Sequence, residues 1–537
     1  MKSILILITV LFICSPRDTS SQVSQEWAKR YNSSGTANDY AKAITYDAAG
    51  NVYVTGSANN NYMTIKYSPQ GDTLWKALYN GPANDDDTPS AIFVDAAGNV
   101  YITGSSFGNS SETDYATIKY DANGTQLWVQ RYNGTNNDND AAIGIVVDSQ
   151  GNVYAGGWSS GSNGSTDYVI VKYSAAGLQL WSKSYNSPDN GNEFMNAMVM
   201  DAAGNIYATG RSRGAVNDDY ATVKYSPSGT LLWSARYEGS GVDEANGLTV
   251  DQQGNVIVTG YATTAATGKD YSTIKYNNAG IQQWIKKYNR TGTTQDEAVG
   301  IVSDNTGNIY ITGFCTGSGT STFDYITLKY NSNGDQQWVK TFNSGLVGVD
   351  DKASSIDIDQ TGNIYVTGST ISSGSDFDFG TVKYSPSGEV LWSILYENIL
   401  AIDDKAVMVK ADNNGNVYVT GTSSGFSGID FLTVKYSQPI GITPISTEVP
   451  EGFELGQNYP NPFNPKTNVR IQMPKSGFVK LAVFDITGKE VSVLVNENLG
   501  AGIYNVDFDA SHLSSGTYFY RIAAGNFSEV KKMILVK

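Results

Sequence analysis

Three features of the sequence predict an all-β fold. Charged residues make up only 16% of the chain, while Gly (56) and Tyr (35) are abundant, a composition typical of turn-rich β structure. The turn pattern D-x-x-G-N occurs eight times at spacings of 48 to 55 residues, a period typical of propellers and solenoids. Glycine-bearing turns about every ten residues leave no room for helices. The sequence therefore predicts an eight-bladed β-propeller closed by the N-terminal strand, followed by a small Ig-like β-sandwich.

The first 21 residues have the pattern of a cleaved secretory signal. Lys2 precedes the apolar run ILILITVLFI at 4–13, and polar residues with small side chains follow at 19–22. The run is too short to cross a bilayer, so no transmembrane span is expected in the mature chain. A lipoprotein signal with Cys14 as the lipidated residue is the alternative. After cleavage Cys315 is the only cysteine, so the exported fold is expected to close without an internal disulfide.

Each repeat has the pattern of four short strands. An apolar first strand leads into the D-x-x-G-N turn, and the second strand has the form NVYVTG. The third strand has the form DYATIKY, and after a second tight turn the fourth has the form LLWSARY. Four strands with their turns use about 50 residues, the size of one propeller blade. The eight turns begin at Asp47, Asp95, Asp148, Asp201, Asp251, Asp304, Asp359 and Asp412.

The predicted mature chain begins with a segment that resembles the last piece of a repeat. Trp27 and Tyr31 have the spacing of the Trp and aromatic residue that end the fourth strand elsewhere, but no unit precedes them. The eighth repeat stops after its third strand, in the segment FLTVKYSQP at 431–439, without a Trp. Pairing of the two fragments completes one blade and removes a free sheet edge. We therefore expect a propeller over residues 22–437 that is latched by its N-terminal strand.

These repeats resemble the bacterial β-propeller repeat family whose units carry the core D-x-x-G-N-V-Y-V-T-G. The resemblance covers residues 27–437. That family is named for seven blades, whereas the sequence here contains eight turns. The resemblance implies little about activity, because propellers include enzymes, receptors and passive scaffolds.

The composition changes after a proline-containing linker at 438–452. Residues 453–537 carry the motifs NYPNPFNP, DITGKEV and SSGTYFYR and a basic last strand, with alternating apolar strands between glycine turns. This segment resembles the type A C-terminal sorting domain of the type IX secretion system. The resemblance implies that the type IX machinery recognises residues 453–537 and that the protein is secreted or displayed on the outer-membrane cell surface. An ordinary Ig-like accessory module is the alternative interpretation.

The residues of the predicted propeller exclude several kinds of chemistry. The only histidine is His512, in the tail, so the propeller has no imidazole for a Ser-His-Asp or Cys-His mechanism or for zinc. Cys315, without a histidine partner, is expected to be a packing residue. No P-loop, haem-attachment motif or dinucleotide fingerprint occurs. The net charge of −16 argues against nucleic acid or an anionic membrane as a partner.

Acidic residues recur in the connections between repeats. Because strand direction alternates within a blade, we expect them to form a circle of acids on the loop-rich face near the central channel. Such a circle is a candidate site for Ca²⁺, the one cofactor that the sequence suggests. The alternative is turn chemistry and solubility, since no EF-hand calcium loop is present. The candidate calcium ligands are Asp87, Asp140, Glu193, Asp243, Asp296, Asp350 and Asp403.

Eight lysines recur in step with the third strands. A residue repeated in every blade indicates an architectural role, such as pairing with an acid of the adjacent loop. These lysines are Lys66, Lys119, Lys172, Lys224, Lys275, Lys329, Lys383 and Lys435.

The repeat symmetry is broken directly after the glycine that ends each second strand. Small hydroxyl side chains occupy four repeats at this position, namely Ser57, Ser105, Ser369 and Thr422. Large planar side chains occupy the four consecutive repeats between them, namely Trp158, Arg211, Tyr261 and Phe314. We predict that this half of the face binds a ligand, by stacking on sugar rings or gripping an extended chain. The alternative is that each ring fills a gap under its own loop.

The sequence favours a secreted or cell-surface, non-catalytic propeller that binds a glycan or a protein. The first alternative is a carboxylate-dependent glycan-degrading enzyme, which requires two acids about 5 to 9 Å apart across a sugar. Every acid pair in the sequence recurs with the repeats, whereas a catalytic pair is expected to be singular. The second alternative is a passive structural protein of the surface.

Overall fold

The computed structural model of the chain describes residues 23–33, 37–161, 164–290, 294–317, 322–346, 348–371, 376–396, 403–425, 428–437, 442–446, 449–510 and 513–537. The predicted signal segment 1–21 with Cys14, and His512 of the tail, lie outside the described residues. Contacts divide the chain into two compact units, one spanning Ser24–Ser437 and the other containing Gln438–Lys537. Among the described residues there is no helix that could span a membrane. The all-β prediction is confirmed, because the described elements are strands.

The described part of Ser24–Ser437 forms eight antiparallel groups of four strands, numbered here as sheets 1 to 8. Strand β1 (Ser24–Tyr31) precedes them. Sheet 1 contains β2 (Asp39–Tyr46), β3 (Val52–Ala58), β4 (Asn61–Tyr67) and β5 (Thr73–Tyr79). Sheet 2 contains β6 (Asp87–Val94), β7 (Val100–Phe107), β8 (Thr113–Tyr120) and β9 (Gln126–Tyr132). Sheet 3 contains β10 (Asp140–Val147), β11 (Val153–Ser160), β12 (Thr166–Tyr173) and β13 (Gln179–Tyr185).

The next three sheets repeat this order. Sheet 4 contains β14 (Glu193–Met200), β15 (Ile206–Arg213), β16 (Asp218–Tyr225) and β17 (Leu231–Tyr237). Sheet 5 contains β18 (Asp243–Val250), β19 (Val256–Thr264), β20 (Gly268–Tyr276) and β21 (Gln282–Tyr288). Sheet 6 contains β22 (Thr294–Ser303), β23 (Ile309–Thr316), β24 (Phe323–Tyr330) and β25 (Gln336–Phe342). A short parallel bridge between β20 and β22 joins sheets 5 and 6.

Sheet 7 has the same strand order, and sheet 8 combines strands from both ends of the unit. Sheet 7 contains β26 (Lys352–Ile358), β27 (Ile364–Thr370), β28 (Asp378–Tyr384) and β29 (Val390–Tyr396). Sheet 8 contains β30 (Asp404–Ala411), β31 (Asn416–Gly425) and β32 (Gly428–Ser437). β1 pairs antiparallel with β32, from Ser24 opposite Ser437 to Tyr31 opposite Phe431. The N-terminal fragment therefore supplies the fourth strand of sheet 8.

Each D-x-x-G-N turn is closed by its own aspartate. In the first turn Asp47 Oδ1 accepts hydrogen bonds from the backbone N–H groups of Ala49 and Asn51. Asp47 Oδ2 accepts from the Asn51 amide and from the hydroxyl of Tyr53 at 2.9 Å. Gly50 has a φ of 79°, a left-handed conformation that favours glycine. The motif is therefore a turn that also anchors the following strand.

Neighbouring sheets are joined by a recurring contact to a turn carbonyl. The indole N–H of Trp75 and the ammonium group of Lys66, both in sheet 1, donate to the carbonyl oxygen of Ala122 in sheet 2 at 3.1 and 3.2 Å. In sheet 8 the corresponding groups of Trp27 and Lys435 donate to the carbonyl oxygen of Pro69 in sheet 1. The N-terminal Trp thus makes the same contact as a Trp in the continuous part of the chain.

The first strands of the eight sheets contact one another in a cycle. β2 lies against β6, the contacts continue through β10, β14, β18, β22, β26 and β30, and β30 lies against β2. Buried apolar side chains fill the space between adjacent sheets; between sheets 8 and 1 they include Trp27, Phe431 and Val54. The core is therefore divided into layers between sheets, because each sheet buries both of its faces.

The second unit contains two four-stranded sheets. One contains β33 (Ile442–Ser446), β34 (Glu454–Leu455), β35 (Lys466–Met473) and β38 (Gly502–Asp509). The other contains β36 (Gly477–Phe484), β37 (Glu490–Leu499), β39 (Gly516–Ala524) and β40 (Phe527–Leu535). Buried side chains of both sheets, such as Val506 and Leu481, form one apolar cluster. β33 lies inside the segment expected to be a linker and pairs with β38, so this part of 438–452 belongs to the sheet.

The motif NYPNPFNP is tied to this core by hydrogen bonds. Asn458 is buried and its amide donates to the Pro460 carbonyl oxygen at 3.1 Å and to the Thr467 hydroxyl at 3.0 Å. The Asn458 backbone N–H donates to the hydroxyl of Tyr520, which in turn donates to the Gly456 carbonyl oxygen. The motif therefore has a structural role inside its own unit.

Candidate functional site

The residue after each second-strand glycine lies opposite a first-strand residue of the same sheet. That first-strand residue directly follows an acid at the start of the strand. We call these eight pairs the paired layer. They are Tyr40 with Ser57, Thr88 with Ser105, Ala141 with Trp158, Phe194 with Arg211, Glu244 with Tyr261, Glu297 with Phe314, Lys352 with Ser369, and Lys405 with Thr422.

Trp158 and Arg211 both contact Phe194. The ring of Trp158 in sheet 3 meets the ring of Phe194 in sheet 4 edge to face, with a centroid distance of 5.3 Å. The guanidinium carbon of Arg211 lies 4.5 Å from the centre of the Phe194 ring, a cation–π geometry. All three side chains are partly exposed. Sheets 3 and 4 therefore share one aromatic and cationic surface.

A shallow hollow of about 280 Å³ opens beside this contact. It is lined by Asn192, Phe194, Arg211, Arg213 and Asp218. Arg213 Nη1 lies 3.2 Å from Asp218 Oδ1, and Arg211 Nη1 lies 3.7 Å from Asp218 Oδ2. Two guanidinium groups thus share one carboxylate. The hollow has a local excess of positive charge in a chain whose net charge is −16.

Tyr261 is buried, with 7% of its surface exposed. Its hydroxyl donates to Glu244 Oε2 at 3.0 Å, and Lys269 Nζ lies 3.9 Å from the ring centre. Burial and the Glu244 carboxylate raise the pKa of Tyr261 far above its ordinary value. Tyr261 therefore supports the surface and does not offer the free stacking face expected from the sequence.

Phe314 is partly exposed and belongs to a second aromatic contact. Its ring meets that of Phe323 edge to face at 5.1 Å, and Lys352 Nζ of sheet 7 lies 4.2 Å from the centre of the Phe323 ring. Glu297, the partner of Phe314 in the paired layer, binds Lys269 Nζ of sheet 5 at 2.6 Å. Contacts therefore run from sheet 5 through sheet 6 to sheet 7.

The structure joins the four predicted residues as two pairs, each through other residues. Phe194 joins Trp158 to Arg211, while Lys269 and Glu297 join Tyr261 to Phe314. The sequence-based prediction did not include these linking residues. The position after the first-strand acid gave only a partial signal, because its phenylalanine and charged residues occupy sheets 4 to 8, whereas the large second-strand residues occupy sheets 3 to 6. The first-strand position holds Phe194, Glu244, Glu297, Lys352 and Lys405 in sheets 4 to 8.

The predicted calcium ligands do not assemble in the described part of the chain. No three His, Cys, Asp or Glu side chains among the described residues lie in an arrangement that could hold a metal ion. Five of the predicted ligands are instead buried at the starts of first strands, namely Asp87, Asp140, Glu193, Asp243 and Asp296. They accept hydrogen bonds from the surrounding connections and second strands. Asp296, for example, accepts from the backbone N–H of Arg290 at 2.9 Å.

The other two predicted ligands are offset by one residue from the buried position. Asp350 and Asp403 are partly exposed and lie 3.6 and 3.1 Å from the ammonium groups of Lys352 and Lys405. The buried equivalents are Asp351 and Asp404, which accept from the hydroxyls of Thr370 and Ser423. The recurring acid therefore binds its own loops, which agrees with the turn-chemistry alternative and not with a calcium circle.

Burial sets the titration of these acids. It raises the pKa of Asp243 to about 6, although the backbone N–H groups of Thr263 and Gly239 oppose the shift. It likewise raises the pKa of Asp404 to about 6, against the hydrogen bond from Ser423. In the turn, burial of Asp47 is outweighed by hydrogen bonds from Asn51 and Tyr53, so its pKa lies below the ordinary value. Ionisation of Asp243 and Asp404 therefore destabilises the folded state, whereas ionisation of Asp47 stabilises it.

The recurring lysines and Cys315 have architectural surroundings. Lys66 Nζ lies 5.0 Å from the ring centre of Tyr53 in addition to its bond to the next sheet. In sheet 5, where Ile257 replaces that tyrosine, Lys275 Nζ lies 3.1 Å from Asp251 Oδ2. Cys315 is fully buried in the apolar cluster of sheet 6, and burial raises its pKa far above the ordinary value. These surroundings agree with the roles expected from the sequence.

Two family models match parts of the chain. Residues 457–537 match the secretion system C-terminal sorting domain, and residues 26–62 and 345–375 match the β-propeller repeat. The chain carries β-propeller repeats and a type IX sorting domain. Both resemblances read from the sequence are thereby confirmed. The sorting domain indicates export to the cell surface or secretion, and it implies an interaction with the secretion machinery.

Other proteins are similar over parts of this chain. It is 30% identical over 129 residues to an uncharacterised WD repeat-containing protein of Acanthamoeba polyphaga mimivirus, and this match covers 21% of the chain but only 9% of the viral protein. It is similar to Sqt1 from Chaetomium thermophilum, with 9% identity, a TM-score of 0.46, and coverage of 78% of this chain and 100% of that one.

Two further solved structures are similar to this chain. One is a protein from Lactobacillus plantarum, with 13% identity, a TM-score of 0.41, and coverage of 69% and 98%. The other is the β-propeller domain of the Trilobed protease from Pyrococcus furiosus, with 9% identity, a TM-score of 0.39, and coverage of 65% and 94%. These similarities carry no information about a ligand or an activity.

Proposed function

We propose that this protein is an exported, non-catalytic, eight-bladed β-propeller that binds a carbohydrate through half of its loop-rich face. The cycle of contacts among eight four-stranded sheets supports the blade number, and the pairing of β1 with β32 supports closure by the N-terminal strand. The two sheets with a shared apolar core support an Ig-like sandwich for the sorting domain.

The observation that carries the binding proposal is the broken symmetry of the paired layer. Residues that build the fold recur from sheet to sheet, as the lysine and tryptophan contacts to turn carbonyls do. Trp158, Arg211 and Phe314 do not recur, and they occupy partly exposed positions in sheets 3, 4 and 6. Because these residues are absent from the other sheets, the fold of a repeat does not require them, and we attribute them to binding. Partly exposed aromatic and guanidinium groups are suited to stacking on sugar rings.

A polysaccharide suits this arc because its many sugar rings can contact separate aromatic positions. Aromatic contacts occur at two places along the arc, in the Trp158 and Phe194 pair of sheets 3 and 4 and in the Phe314 and Phe323 pair of sheet 6. A chain of sugar rings that lies along the arc meets both contacts. The open, shallow shape of the hollow beside Phe194 is suited to an extended ligand lying across the face.

The surroundings of the surface acids support binding over catalysis. Glu244 accepts hydrogen bonds from Tyr261 and Asn196, Glu297 pairs with Lys269, and Asp218 faces two arginines. Each of these carboxylates is therefore already engaged by a neighbouring donor or cation. Carboxylate-dependent cleavage of a glycosidic bond needs one carboxyl that is protonated and free to reach the leaving oxygen.

Binding of the purified mature protein to a polysaccharide array tests the proposal. Trp158→Ala is expected to weaken binding by about 1 to 3 kcal/mol with little change in Tm, because the ring is partly exposed. Ser57→Ala, at the equivalent position in sheet 1, is the control and is expected to leave affinity unchanged. The bound polysaccharide should keep its length after prolonged incubation. Loss of Tm without loss of affinity in Trp158→Ala would refute the proposed surface.

A further inference from the structure

The arginines of the propeller unit fall into two groups. Ser24–Ser437 contains six arginines. Four of them pair with aspartates near the starts of third strands: Arg30 with Asp430, Arg131 with Asp114, Arg236 with Asp219, and Arg290 with Asp324. The other two, Arg211 and Arg213, line the hollow in sheet 4. This pair also faces an aspartate at the start of a third strand, Asp218, but it lies on the second strand β15 and lines the hollow.

The two guanidinium groups at the hollow retain unused donor capacity. Each guanidinium carries five N–H donors. Within the described part of the chain, the two guanidinium groups donate one hydrogen bond, from Arg213 Nη1 to Asp218 Oδ1. Arg211 Nη1 lies 3.7 Å from Asp218 Oδ2, which is an ion pair without a hydrogen bond. The side chains of Arg211 and Arg213 are 35% and 48% exposed. Most of their donors can therefore reach a ligand in the hollow.

The surrounding backbone holds the two arginines in place. Arg211 is held over the ring of Phe194. The backbone N–H of Arg213 donates to the Asn192 carbonyl oxygen at 2.8 Å. Gly191 makes room for Arg213, because a Cβ at position 191 would lie 2.5 Å from the Arg213 Cβ. The Arg211 guanidinium and the backbone of Arg213 are thus held in place before a ligand binds, which lowers the entropy cost of binding.

We propose that this hollow binds the anionic group of an acidic polysaccharide while the neighbouring Trp158 stacks on a sugar ring. The proposal rests on the carbohydrate-binding function proposed above and names the class of carbohydrate. The paired N–H donors of a planar guanidinium match two oxygens of a carboxylate or of a sulfate group. Asp218 carries one negative charge and faces two arginines, so one positive charge remains at the hollow. An anionic group of the ligand compensates this charge.

Calorimetric titration of the purified mature protein with three oligosaccharides of equal length tests the class. The probes are an oligogalacturonate with carboxylates, a sulfated galactan oligosaccharide, and a neutral cello-oligosaccharide. At least one acidic probe should bind, and the neutral probe should bind at least tenfold more weakly. Arg213→Gln should weaken binding of the acidic probe at least tenfold. Arg521→Gln, at an exposed arginine of the sorting domain, is the matched control and should leave affinity unchanged.

The possible failures are distinguishable. Equal affinity for neutral and acidic probes, reduced by Trp158→Ala but not by Arg213→Gln, would overturn the acidic class and leave the carbohydrate-binding function intact. Binding of polyglutamate in place of all polysaccharides, lost in Arg213→Gln, would overturn both in favour of an acidic peptide ligand. Arg213→Lys keeps the charge but loses the planar donor pair, so it should bind the acidic probe at least severalfold more weakly. This variant serves if Arg213→Gln does not fold.

Discussion

Replacing Trp27 with alanine tests whether β1 is an integral strand of sheet 8. Trp27 is 8% exposed, and its ring lies 5.9 Å from that of Tyr67 in sheet 1. Its indole N–H donates to the Pro69 carbonyl oxygen at 3.1 Å. Trp233 makes the corresponding contacts between sheets 4 and 5, with a ring distance of 6.1 Å and a hydrogen bond of 3.1 Å. Trp233→Ala is therefore a matched control in the continuous part of the chain.

The expected loss of stability follows from the burial of the indole ring. Truncating a buried Trp to Ala costs about 3 to 5 kcal/mol. An unfolding entropy of about 2.1 cal/mol/K per residue, over roughly 400 residues, corresponds to about 0.8 kcal/mol for each degree of Tm. We therefore expect Tm to fall by about 4 to 6 °C for Trp27→Ala, and by less for Trp233→Ala because the Trp233 ring is partly exposed.

Differential scanning calorimetry of the mature protein and both variants, at one scan rate, measures these shifts. Deleting residues 23–33 is the stronger perturbation, because it removes the whole pairing of β1 and exposes the edge of β32. The shortened protein is expected to aggregate on size-exclusion chromatography. A Tm that is unchanged in Trp27→Ala but lowered in Trp233→Ala would refute closure by β1, and so would a shortened protein that stays monomeric with the native Tm.

Two further predictions concern pH and export. The folded-state pKa of Asp243 and Asp404, about 6, lies above the ordinary value of 3.8, so the folded state binds the extra proton below pH 6 and loses stability as pH rises through 6. Tm should therefore be higher at pH 5 than at pH 8 and the difference smaller in Asp243→Asn, whereas a Tm that rises from pH 5 to pH 8 would contradict the assignment. Removing residues 453–537 should leave the propeller in the periplasm of its native host, and cell fractionation that finds normal amounts outside the outer membrane would contradict the role of the sorting domain.

Local patterns in the sequence predicted most of the chain's secondary structure. The spacing of the D-x-x-G-N turns located the strands, because each turn is formed by residues close together in the sequence. Asp47 accepts a hydrogen bond from the backbone N–H of Asn51, and Gly50 adopts the left-handed conformation between them. The fragment around Trp27 predicted the fourth strand of sheet 8, since a repeat that lacks one strand leaves a pairing edge open. The motifs of the tail identified the sorting domain.

Only the tertiary structure decided which side chains are buried, paired or free. The sequence did not distinguish Asp350 from Asp351, although one faces a lysine and the other is buried under its loop. Nor did it show that Phe194 of sheet 4 contacts Trp158 of sheet 3, or that Tyr261 is buried under Lys269. Strand periodicity assigns a residue to a face of its own strand but says nothing about the neighbouring sheet. The candidate site lies where adjacent sheets meet, so its geometry depends on contacts between residues that are far apart in the sequence.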